Sequence, residues 1–95
     1  MNSTITSEKL QQYFSITREA LEKAKNALDN TRKAQAEDFV DMASRYVDDA
    51  DYFLTKKKDA VLAFAALNYA HGWLDAGARI GLFKVKDSRL FTVDA

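Results

Sequence analysis

His71, Asp75 and Arg79 stand at i, i+4 and i+8, a spacing that lines three ionisable groups along one side of a helix. An imidazole beside a carboxylate is the pairing that general acid–base chemistry or metal ligation uses. The same spacing also makes a plain ladder, with Asp75 bonding His71 on one side and Arg79 on the other. A second set, Glu37, Asp38, Asp41, Asp48, Asp49 and Asp51, offers carboxylates one or two turns apart, which suits a hard cation such as magnesium. Against that, Asp41–Arg45 and Arg45–Asp49 form i,i+4 ion pairs, and the segment holds no histidine. Asp49 sits at the edge of an apolar stripe, placed to hydrogen-bond Tyr69, Trp73 or Arg79. The third set, Lys56, Lys57 and Lys58, makes a basic turn that could touch phosphates, with no aromatic interleaved for base stacking and no glycine-rich loop.

One histidine and no cysteine in 95 residues leave no thiolate nucleophile and no cysteine-held metal. The expectation is a non-enzymatic chain with no cofactor and no metal site. The rival that uses chemistry is a metal-dependent hydrolase, which needs Asp49, His71 and Asp75 to converge.

The elements that must position these groups are helices. The chain has no proline and three glycines, which argues for long uninterrupted helices over turn-rich β-structure. Leu10, Phe14, Thr17, Leu21, Ala24 and Leu28 step by fours and threes, predicting a first helix over about 8–30, capped by Ser7 with Thr6 just before it. Phe39, Ala43, Tyr46, Ala50 and Phe53 form a second stripe, out of phase with the first. That mismatch predicts a turn near 29–35 and a second helix over about 36–54. Asp59 is a natural N-cap for a third helix over about 60–82, ended by Gly81. Short links make neighbours antiparallel, so the expected fold is all-α, one up-down-up three-helix bundle over 1–95 with a short irregular C-terminal tail.

On the third helix Leu62, Ala65, Tyr69, Trp73, Ala76 and Ile80 share one face, read as the core face, widened by Ala63, Ala66, Ala70 and Gly77. Val61, Phe64, Leu67 and Leu74 fall outside that arc. Either the tail, with Phe83, Val85, Leu90, Phe91 and Val93, covers them or a partner does, a second copy being the simplest.

Fourteen basic and fourteen acidic residues cancel, so the whole chain offers no electrostatic attraction for nucleic acid or membrane. By segment the balance differs: residues 8–34 carry six basic and four acidic groups, 36–54 one and six, and 55–95 seven and four. No apolar run approaches the roughly 20 residues of a membrane span, and Met1 to Ser7 lack the features of a secretory leader, so a cytoplasmic location is expected.

The leading reading is a protein–protein interaction module that self-associates, a homodimer included, through Phe64, Leu67, His71, Leu74, Asp75 and Arg79. Its alternative is a nucleic-acid or nucleotide-binding accessory protein using Lys56 to Lys58 with Lys84, Lys86 and Arg89.

Residues Tyr46 to Leu54 (YVDDADYFL), Lys58-Asp59-Ala60 and Asn68 to Phe83 (NYAHGWLDAGARIGLF) resemble the archaeal domain-of-unknown-function family 357, over about residues 40–83. The resemblance implies a small archaeal helical protein and no assigned activity. It singles out Tyr46, Asp49, Asp59, Tyr69, Trp73, Asp75, Gly77 and Arg79 as motif residues, for which a structural role suffices.

Overall fold

In the computed structural model, which describes residues 4–92, three helices run α1 (Ser7–Lys25), α2 (Lys33–Thr55) and α3 (Ala60–Arg79), with a 3₁₀ turn at Asn30–Arg32. They pack as the all-α, up-down-up bundle that the periodicity predicts, with no strand among the described residues. Each start has a chemical cause. Thr6, rather than Ser7, caps α1, its Oγ1 accepting from Lys9 N at 3.1 Å. Asp59 caps α3 as expected, accepting from Leu62 N at 3.0 Å.

α1 ends at Lys25, five residues short of the expected 30. The reason is long-range: Asp29 N donates to Leu82 O at 2.8 Å, Lys84 N donates to Ala27 O at 2.7 Å, and Leu28 and Phe83 form an antiparallel bridge. Backbone groups that would have extended the helix are instead spent tying two turns together at one end of the bundle. α3 likewise stops at Arg79, and Gly81 takes φ +77°, a conformation glycine adopts without steric cost.

α2 and α3 form the most extensive pairing in the molecule. Both bury small residues at intervals of seven: Ala36, Ala43 and Ala50 on α2, Ala63, Ala70 and Gly77 on α3. A heptad of small side chains keeps one face of each helix turned inward, and Gly77 makes room for the Phe83 ring of the tail.

Volume comes from elsewhere. Of the largest fully buried side chains, Phe14 lies on α1, Leu67 and Leu74 on α3, and Leu82, Phe83, Leu90 and Phe91 on the segment after α3. The tail does fold back onto the bundle, as one of the two readings expected; Val93 lies outside the described residues.

The face of α3 expected to be the core is not. Leu62 is 45% exposed, Tyr69 64% and Ile80 53%, and Ala65 and Ala76 are exposed as well, whereas Leu67 and Leu74 are at 1% and 0%. α3 is apolar on almost every side, so its hydrophobic pattern alone does not decide which side turns inward. Ala63, Ala66, Ala70 and Gly77 lie on the inward side together with Leu67 and Leu74, the side that α1 and the tail cover.

Gly77 marks the tightest point: a Cβ there would lie 2.7 Å from Phe83 Cζ and collide with the ring. Gly77→Ala is therefore expected to destabilise by about 2 kcal/mol through overpacking, against about 1 kcal/mol of helix propensity regained. Gly72→Ala, where nothing lies within 4 Å, keeps only the propensity gain. Thermal unfolding of the two variants should shift in opposite directions.

Candidate functional site

The polar stripe of α3 turns out to be the anchor of the tail. Thr17 on α1, buried within the core, places Oγ1 3.1 Å from His71 Nδ1, and His71 Nε2 meets the carbonyl of Leu90. A carbonyl only accepts, so Nε2 carries the proton and donates to it. In the neutral ring Nδ1 then accepts from the Thr17 hydroxyl. Asp75 receives two bonds from the tail, from Thr92 N at 2.8 Å and Thr92 Oγ1 at 3.2 Å, and stands 3.8 Å from His71 Nε2. The ladder on α3 is thus a fastening for residues 90–92, with both ring nitrogens and both carboxylate oxygens occupied.

Ion pairs finish the strap from the α1 side. Glu19 grips Arg89 through both guanidinium NH groups, and Lys23 Nζ meets Asp87 Oδ2 at 3.2 Å. The Arg89 hydrogen bond lowers the Glu19 pKa, and the Lys23 hydrogen bond lowers that of Asp87. Asp87 also folds the tail, accepting from Arg89 N through Oδ1 and from Leu90 N and Phe91 N through its backbone carbonyl.

At the same end, Asp29 knits the α1–α2 turn. It accepts from Thr31 Oγ1 at 2.7 Å, Thr31 N at 3.0 Å and Arg32 Nε at 3.1 Å, with Lys84 Nζ at 3.9 Å. The Thr31 bonds, followed by the Arg32 bond and the Lys84 charge, lower its pKa from 3.8 to about 2. Arg32 continues to the carbonyl of Ile80 at 2.9 Å, closing the turn onto the end of α3.

Of the expected interaction surface, Phe64 packs edge-on against Tyr13 of α1 (4.9 Å between centroids), and Leu67 and Leu74 are in the core. His71 and Asp75 hold the tail, and Arg79 is exposed in the last turn of α3. A partner reaches Leu67 and Leu74 only by displacing α1 and the tail, so that face is corrected to an internal one. Asp49 is exposed on α2, and among the described residues no three His, Cys, Asp or Glu side chains group as a metal ion requires. The three-residue hydrolase site is therefore not assembled. Among the basic residues, Lys56 to Lys58 lie exposed at one end of α3 while Lys84 pairs with Asp29 at the other and Arg89 with Glu19. They do not form one patch. Lys57 does place its ammonium 5.9 Å above the ring of Tyr52, an aromatic beside the turn that its own sequence lacks.

The surface left open is on the other side of α3. A groove of about 590 Å³ between α2 and α3 is lined by Phe39, Asn68, Tyr69, Gly72, Trp73 and Ala76. Its walls are ordered aromatic pairs: Tyr46 stacks on Tyr69 (5.2 Å, 22°), and Phe39 meets Trp73 edge-on (5.0 Å, 88°). The apolar strip extends along α3 through Val61, Leu62, Ala65 and Ile80, all exposed. Of the motif residues, Tyr69 and Trp73 line the open face, with Tyr46 stacked behind Tyr69, while Asp59 and Gly77 serve the fold.

A family sequence profile described as "Protein of unknown function (DUF357)" matches residues 12–83. The chain belongs to this family. The match spans all of α2 and α3, most of α1, and Phe83. Searches of curated proteins and of solved structures gave no match. No helix among the described residues is long and apolar enough to cross a membrane.

Two outcomes follow. Asp29→Asn removes a carboxyl whose folded pKa lies below its unfolded value, so the charge contributes stability above about pH 4 and loses it as pH falls towards 2. Urea-unfolding midpoints of the protein and the variant should differ more at pH 5 than at pH 2.5. His71→Ala frees the carbonyl of Leu90 and leaves buried Thr17 without its partner, at a cost of about 2 kcal/mol. Trypsin should cut the variant faster at Lys84, Lys86 and Arg89 while its helical circular dichroism is retained.

Proposed function

We propose that this chain is a non-enzymatic protein–protein contact module whose working surface is the open α2–α3 face. One observation carries the reading: a continuous exposed apolar strip runs the length of α3, with Val61 at 69%, Leu62 at 45%, Tyr69 at 64% and Ile80 at 53% exposure. Large contiguous apolar surfaces on folded chains mark contact sites. This strip persists although the chain has apolar residues to spare, having used Leu82, Phe83, Leu90 and Phe91 to seal the opposite side.

The groups that would serve chemistry are engaged in fastening. His71 is held between Thr17 and Leu90, and Asp75 by Thr92. The open face has instead what recognition by shape requires: rigid aromatic walls, and small floor positions at Gly72 and Ala76.

The test is photo-crosslinking in cells, with a benzophenone side chain at Ala65 or Ala76 and, as the comparison, at exposed Gln11 of α1. Positions 65 and 76 are expected to give a discrete adduct that position 11 does not. Equal labelling from both sides, or none from α3, would overturn the reading.

A further inference from the structure

We propose that the occupant of the open α2–α3 face is a second copy of this chain, packed face to face so that α2 of one copy lies over α3 of the other. The inference rests on the contact reading above and names its partner. Three observations lead to it.

The first is area. α3 has 20 residues and is about 30 Å long. A packed helix pair is about 20 Å across. The open face therefore offers about 600 Å², the low end of what each partner buries in stable interfaces. A face of this size, apolar along its centre, is large enough for a dimer without any further element.

The second is shape. Along α3 and its C-cap the exposed residues mix large and small: Leu62, Ala65, Tyr69, Gly72, Ala76 and Ile80. These step by three, four, three, four and four, the seam of a helix that packs against another helix. At Gly72 nothing lies within 4 Å of where a Cβ would stand, so a facing helix can approach the backbone there. α2 supplies matching bulk on the same face through Phe39 and Tyr46, both only half-buried.

The third is charge. The chain has no net charge, so two copies do not repel as wholes. At the edge of the open face, beside Phe39 and Tyr46, α2 carries the exposed carboxylates Asp38 and Asp49. Two α2 helices laid against each other would bring these carboxylates together, whereas α2 laid over the seam of α3 meets uncharged residues and, at the end of the seam, the guanidinium of Arg79. Like-charge repulsion therefore selects the arrangement as well as permitting the pair.

Sedimentation of the full chain, from about 1 µM to about 500 µM, reads the result. Twice the 10.7 kDa of one chain is expected at the upper end. Gly72→Glu, which has room for its side chain within the monomer, should raise the dissociation constant at least tenfold with helicity unchanged. Gln11→Glu, adding the same charge on α1, should leave it unaltered. The arrangement has its own readout: a dimer that keeps its affinity at low salt supports α2 over α3, while one that forms only when salt screens the carboxylates would overturn it. A monomer throughout, or a dimer indifferent to Gly72→Glu, would overturn the inference. If the chain is monomeric yet positions 65 and 76 crosslink to a protein of different mass, the contact reading stands and the second copy falls.

Discussion

The close seam between α2 and α3 is the constraint from which the rest of the structure follows. Ala36, Ala43 and Ala50 face inward on one helix, and Ala63, Ala70 and Gly77 on the other. Small side chains bring the helices together but bury little apolar area, of the order of one methyl group each. The pair adds Leu67 and Leu74 from α3 and obtains the rest of its core volume from outside. α1 provides Phe14 and Leu21; the tail provides Leu82, Phe83, Leu90 and Phe91. Among the described residues α1 and the tail both cover the same side of this two-helix layer, and the other side is left open.

That dependence explains the number of devices that hold the tail. A segment with no helix of its own has no internal hydrogen-bond ladder to resist fraying. Here its backbone is bonded at Lys84 to Ala27, at Leu90 to His71 and at Thr92 to Asp75. Its charges meet Glu19, Lys23 and Asp29. The described ion pairs between elements run chiefly from the α1 side to the tail, with Arg18–Asp51 joining α1 to α2. The segmental charge imbalance therefore serves the strap more than the attraction of the acidic α2 for its neighbours. Exposed pairs of this kind each contribute little; their effect is to place Leu90 and Phe91, whose burial contributes more.

Helix order and the Asp59 cap were legible in the sequence, because each rests on local chemistry or on a strong apolar period, whereas the return of the tail was one of two open alternatives. The end of α1 was not, since Ala27 and Asp29 take backbone partners more than fifty residues away. The orientation of α3 was not either. Leu62, Tyr69 and Ile80 look like core residues by hydropathy, and Ala63, Ala70 and Gly77 look like fillers; their roles are reversed. Hydropathy measures how much a side chain gains by burial, whereas close packing is decided by how little room it takes. Where a helix is apolar all round, neither criterion alone decides: small residues seven apart also lie on the exposed side, at Ala65 and Gly72, and the orientation rests on the cover that α1 and the tail provide.

The same reversal bears on where function resides. His71 attracts attention as the sole imidazole, yet a ring held by Thr17 on one nitrogen and the Leu90 carbonyl on the other has no atom left to offer a substrate without releasing the tail. Asp75 is bound in the same way by Thr92. Tyr69, Trp73 and Ala76 instead line the open face, Tyr69 stacked on Tyr46 and Trp73 edge-on to Phe39. A fold that commits its titratable stripe to its own closure and leaves aromatic side chains and small residues outside supports the contact reading proposed above, in which Asp38 and Asp49 at the edge of α2 would restrict how another helix lies there.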